Sequence, residues 1–86
     1  MPRYFLHLRD GADVLLDPDG VEVRNFDGLK AKVLKCARDS MSHDLRTGSL
    51  ELKWRIEAEA EDGQVVYCLP FADAVKITNH DLVISV

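Results

Sequence analysis

Phe5, His7 and Arg9 occupy alternate positions near the N-terminus, so on a β-strand all three side chains project from one face. An aromatic ring, a titratable imidazole and a guanidinium side by side make an interaction patch, and these three are the candidate binding residues. The same residues admit a second chemistry, in which His7 and Arg9 work with a nearby carboxylate such as Asp10 as a small enzyme. Side chains of one strand converge on a substrate only where the sheet twists them toward a pocket. The plain alternative is a covered face, with a loop or the C-terminal residues 82–86 lying over all three.

The remaining reactive residue types are dispersed. His43 and His80 share no H-x-x-x-H or Cys/His spacing with His7, so no metal site is expected. His43, beside Asp44 near a helix end, reads as a solvated residue interacting with the helix dipole. Cys36 and Cys68 form no C-x-x-C pair and are expected to be free thiols. Glu51, Glu57, Glu59 and Glu61 share one face of a strand pattern, where neighbours stand ~6.5–7 Å apart. Lys53 and Arg55 interrupt that row, which therefore reads as a solvated, ion-paired surface rather than a carboxylate pair or a divalent-cation site. Lys32, Lys35 and Arg46, flanked by Lys30 and Arg38, are a weak cue for phosphate contact that Asp39 and Asp44 dilute. No G-x-S-x-G, P-loop or G-x-G-x-x-G occurs, and Asp19-Gly20 and Asp62-Gly63 are turn chemistry, so no nucleophile and no cofactor are expected.

The elements that must position these residues follow from periodicity. Residues 3–9 alternate as a strand, with Tyr4, Leu6 and Leu8 opposite Phe5, His7 and Arg9. Residues 10–13 turn, 14–16 return as a second strand, and Asp17-Pro18-Asp19-Gly20 precedes a continuation at 21–23. Residues 28–46 predict a helix with Asp27 as N-cap, Phe26 as a staple and Thr47-Gly48 as its end. Its buried stripe is expected to be Ala31, Leu34, Ala37, Met41 and Leu45, with Val33 at the edge and Cys36 marginal.

Residues 50–60 alternate apolar and charged at every position and predict one long half-buried strand. Asp62-Gly63 predicts a two-residue hairpin turn, which pairs Ala60 with Val65, Ala58 with Tyr67 and Ile56 with Leu69, and on the other face Glu59 with Val66 and Glu57 with Cys68. Pro70 ends the ladder, residues 71–75 allow one helical turn, and residues 81–86 read as a further short strand. The fold class is α+β, a single amphipathic helix packed on a mainly antiparallel sheet in ββαββ order.

A chain of 86 residues supports one modest core, hence one domain over 1–86, with 79–86 as an extra strand or a docking tail. Eleven basic against fifteen acidic side chains give a net charge of −4, which disfavours nucleic acid and anionic membrane as partners. No apolar run approaches the ~20 residues that span a bilayer. The N-terminal residues lack the pattern of a secretion signal, so a cytoplasmic location is expected.

The opening Pro2-Arg3-Tyr4-Phe5, then His7-Leu8-Arg9-Asp10-Gly11 and Asp19-x-x-Glu22 before the helix, resembles a family of short bacterial proteins of unknown function common in rhizobia and their relatives. The likeness continues through the helix to Ile56, Glu61-Asp62-Gly63 and Leu69-Pro70-Phe71, while residues 79–86 depart from the family's shortest form. It implies a cytosolic bacterial protein and brings no activity, cofactor or catalytic residue.

The leading expectation is a non-enzymatic interaction module, a homo-oligomer or the binder of a protein partner, suggested by Phe5, Val66 and Cys68 on one sheet face and by the apolar chain end. An antitoxin-like regulator is a second expectation, resting on element order alone. The small enzyme using His7 and Arg9 is the third.

Overall fold

In the computed structural model, which describes residues 1–76 and 78, the N-terminal alternation forms strand β1, Arg3–Asp10. Two short strands share one edge of it. β2, Asp13–Leu15, pairs with Leu8, Arg9 and Asp10, whereas β3, Val21–Glu22, pairs with Arg3 and Tyr4. Residues 21–22 are thus a separate strand, and the element order is βββαββ. Helix α1, Phe26–Arg46, follows, then β4, Arg55–Ala60, and β5, Val65–Pro70. The sheet runs β2-β1-β4-β5 and every pairing is antiparallel, which is the α+β class expected. A 3₁₀ turn, Phe71–Asp73, closes the described chain. No helix among the described residues is long and apolar enough to cross a membrane. His80 and the strand expected at 81–86 lie outside the described residues.

Four local expectations need correction. Asn25, not Asp27, caps the helix: its backbone is extended and its Oδ1 accepts the Gly28 N–H at 2.8 Å. Asp27 sits in the first turn, where its charge favours the helix dipole. The buried line is Leu29, Val33, Ala37 and Met41, spaced four by four, with Val33 at its centre. Ala31 and Leu45 are exposed and Leu34 is half-buried, because the whole stripe is rotated toward Leu29. Cys36 is half-buried at the margin of the core.

The long strand expected at 50–60 begins only at Arg55. Its neighbours set this limit. β1 pairs as far as Arg9 with Arg55, and β5 ends at Pro70, also opposite Arg55, so residues 50–54 have no ladder on either side. Leu50, Leu52 and Trp54 nevertheless pack against the core, which is why their sequence pattern persists without a strand. One hydrogen bond, Phe71 N–H to the Trp54 carbonyl at 2.9 Å, carries the pairing a step further.

The hairpin turn is one residue longer than expected. Gly63, at φ +89°, donates to the Ala60 carbonyl, and Ala60 N–H donates to Gln64, the pattern of a type I turn closed by a left-handed glycine. That turn pairs Glu59 with Val65 rather than Val66. A bulge at the next step then restores the expected pairs Ala58 with Tyr67, Glu57 with Cys68 and Ile56 with Leu69.

The core lies between α1 and the inner sheet face: Leu29, Val33, Ala37 and Met41 meet Ile56, Ala58, Leu69, Phe71 and Ala74. Tyr4, Leu6, Leu8 and Tyr67 surround it half-buried. One glycine is indispensable to the β2–β3 connection. Gly20 has φ +75°, and a Cβ there would stand 2.9 Å from the Tyr4 carbonyl oxygen, a backbone atom. Gly20→Ala is therefore expected to cost about 2–4 kcal/mol, left-handed strain plus the displaced contact. Gly11→Ala, at φ +57° with open space around it, is the control and should cost about 1 kcal/mol. Urea unfolding midpoints of the two variants check both values.

Candidate functional site

The period-2 alternation delivers Phe5, His7 and Arg9 to the sheet face away from α1. The β1–β4 register sets Phe5 opposite Glu59, His7 opposite Glu57, and Arg9 opposite Arg55, while Cys68 lies beyond Glu57 on β5. Two arginines directly across from each other repel, and Glu57 relieves this by ion-pairing with both, through Oε1 to Arg9 and Oε2 to Arg55. The Arg9 contact is short, but its N–H is not aligned with the oxygen, so it is a charge contact and not a hydrogen bond. Of the acidic row only Glu57 and Glu59 lie on β4, Glu57 paired with the arginines and Glu59 beside His7, whereas Glu51 precedes the strand and Glu61 sits in the turn.

His7 is only 7% exposed. Its cover is the 16–20 loop. Between the segments of β1 paired by β3 and by β2, no strand lies beside residues 5–7 on that edge, and Asp17 takes the vacant place. The Asp17 carboxylate accepts the Leu6 N–H at 3.1 Å, and the Asp17 N–H donates to His7 Nδ1 at 3.1 Å. The same carboxylate accepts from Asp19 and Gly20 at 3.2 and 3.1 Å, which curls the loop. Burial pushes the Asp17 carboxyl pKa up, but the backbone donors of Leu6, Gly20 and Asp19 outweigh it and hold the group below its ordinary value.

This arrangement decides what the three residues can do. His7 Nδ1 is committed as an acceptor, so Nε2 carries the proton in the neutral ring and points toward Glu59 Oε2, 3.6 Å away. No lone pair is left to take a substrate proton. Asp10, by alternation, belongs to the helix side of β1, so the structure does not bring it to His7. Phe5 stacks parallel to His7, with ring centroids 6.3 Å apart, and Arg9 is held by Glu57. The spacing brings the three together, but as a loop anchor flanked by a ring and an ion pair.

Neither thiol is activated. Burial pushes the pKa of Cys36 up, and burial with the Glu57 carboxylate does the same for Cys68, so thiolate is disfavoured at both. Among the described residues, no three His, Cys, Asp or Glu gather as a metal site. Of the helix cations, Lys35 pairs with Asp39 at 2.8 Å, Lys30 lies over the Phe26 ring, and Arg38 donates to the Ala74 carbonyl at 2.9 Å.

Two surfaces escaped the sequence pattern. One is a groove on the helix side of the sheet, about 490 Å³, between Cys36 and Ser40 of α1 and the Leu6, Leu8, Leu15 and Leu16 side chains. A second compartment of about 220 Å³ shares Leu8, Leu15 and Ser40 with it and reaches His43, Asp44 and Phe71. The signal was present: Leu15 closes the short edge strand β2 and Leu16 follows it, an adjacent apolar pair with little beside it to bury them. They are 60% and 67% exposed.

The other surface is the outer edge of β5. Phe71 bonds Trp54, so the pair two steps back, Leu69 with Ile56, is hydrogen-bonded, and Cys68, one step before Leu69, turns its N–H and C=O away from β4. No strand among the described residues pairs with that edge.

Residues 3–72 match the family described as Domain of unknown function (DUF6894). No curated protein and no solved structure matches the chain.

Proposed function

The chain belongs to the DUF6894 family, and since membership assigns no activity, we propose from the surfaces themselves that it is a non-enzymatic interaction module that self-associates through β5. One observation carries this: Val65–Pro70 is a sheet edge without a charged side chain, and Val65 and Val66 are 46% and 39% exposed. Edge strands are ordinarily blunted by charge, proline or a covering segment; among the described residues β5 has only Pro70, at its last position, and Cys68 keeps an outward N–H and C=O that template pairing with another strand. A second copy, antiparallel about a two-fold axis near Cys68, satisfies the outward N–H and C=O and continues the sheet across both protomers. The free cysteines suit a reducing, cytoplasmic setting, and the Pro2 to Gly11 opening supports a bacterial source of the rhizobial type.

Sedimentation equilibrium of the full chain tests the reading. The wild type is expected to dimerise, and Val66→Lys to weaken the dimer at least ~10-fold, with circular dichroism unchanged. A mild oxidant should crosslink the wild type through Cys68 and leave Cys68→Ser uncrosslinked. A wild type that sediments as a monomer at its highest attainable concentration would end the proposal.

A further inference from the structure

We propose that the groove between α1 and β1–β2 binds a cationic amphipathic segment of a partner protein, its apolar side chains seated on Leu8 and Leu15 and its Lys or Arg side chains on the acidic rim. This site lies at the β2 end of the sheet, opposite β5, and is independent of self-association.

The floor is aliphatic: Leu6, Leu8, Leu15 and Ile56 line the larger compartment, with the Cys36 thiol on the helix wall. Two compartments meeting at Leu8, Leu15 and Ser40 suit two neighbouring anchors, as residues three or four apart on a helix provide. Charge selects the partner. Asp17 and Asp19 line one compartment and Asp44 the other, and no Lys or Arg lines either. Among the described residues, no salt bridge engages Asp19 or Asp44. The nearest helix cations, Lys32 and Lys35, stand beside Cys36 but not in the lining. A purely apolar partner would leave these carboxylates desolvated without a counter-charge, and an acidic one would be repelled.

The test uses the full chain and two labelled helical peptides of one pattern, Leu with Lys and Leu with Glu, read by fluorescence anisotropy. The Leu/Lys peptide is expected to bind, and the Leu/Glu peptide at least ~100-fold more weakly. Ser40→Trp, which fills the junction of the compartments, should cost ~10-fold or more. Leu16→Ser, at a site too exposed to endanger the fold, should cost ~3-fold. Asp19→Asn with Asp44→Asn should weaken binding ~5-fold and flatten its salt dependence. Val66→Lys should bind as the wild type does, so the β5 reading and this one fail separately. Equal affinity for the two peptides, or wild-type affinity in both Ser40→Trp and Leu16→Ser, would overturn the proposal, as would loss of binding in Val66→Lys.

Discussion

Phe71→Ala is expected to destabilise the protein by about 3–5 kcal/mol, the range for emptying a buried aromatic site. A chain of 86 residues has roughly 4–13 kcal/mol in all, so this variant loses from about a quarter of its stability to the whole of it. Phe71 is 2% exposed and is the largest of the fully buried side chains. It follows Pro70, the last residue of β5, and its own N–H is taken by the Trp54 carbonyl, so the backbone cannot retreat to fill the space. The ring lies where β4 begins, beneath α1, and borders the smaller compartment of the groove. Calorimetry should show the midpoint falling by about 15–30 °C. A loss under about 1.5 kcal/mol would mean that the core does not extend past the end of the sheet.

The contrast between Phe71 and the residues just before β4 shows what sequence pattern can carry. At 55–60 and 65–70 alternation and pairing coincide, so the register from Ile56 to Ala58 was legible to the residue. At 50–54 the same alternation records burial alone, because hydrogen-bonded neighbours are a property of other segments: β1 stops at Asp10 and β5 at Pro70. The turn differed for a similar reason, since Asp62-Gly63 fits a two-residue and a three-residue hairpin alike, and only the ladder beyond selects between them. On the helix, apolar residues cover more than one stripe, and the approach of the sheet chose Leu29 and Val33 over Ala31 and Leu45.

The candidate site was legible by halves. Alternation placed Phe5, His7 and Arg9 on the outer face, yet the role of His7 depends on Asp17, ten residues away, whose turn sequence signals a bend but not its destination. Leu15 and Leu16 carried the sign of a second apolar surface. That surface becomes a groove only because α1 leaves Leu6 and Leu8 half-covered beside them. Both halves meet in one loop: residues 16–20 cover His7 on one side of the sheet and wall the groove on the other.

The strongest test of that loop is Asp17→Ala, expected to cost about 2–3 kcal/mol. Its carboxylate accepts three backbone N–H bonds, from Leu6, Asp19 and Gly20, and charged acceptors of this kind contribute ~1.5–3 kcal/mol each, reduced here by solvent around the loop. The part-buried Leu6 N–H would be left without its acceptor, and His7 would lose the geometry that presents the Asp17 N–H to Nδ1. The same group makes stability depend on acid. Its folded pKa lies below the ordinary carboxyl value of 3.8, so the folded state binds its proton less readily than the unfolded state. That contribution is fully present above about pH 4 and is lost as pH falls through 3.8 toward the folded value. Asp17→Asn, which keeps one acceptor oxygen but no charge, should therefore be less stable than the wild type at pH 7 and converge on it below pH 3.8. Urea unfolding at several pH values reads this directly. Because the loop also walls the groove, Asp17→Ala should weaken the Leu/Lys peptide more than Asp19→Asn does, through lost shape in addition to lost charge. Wild-type stability in Asp17→Ala, or an unchanged acid limb in Asp17→Asn, would show that the 16–20 loop is held by something other than this carboxylate.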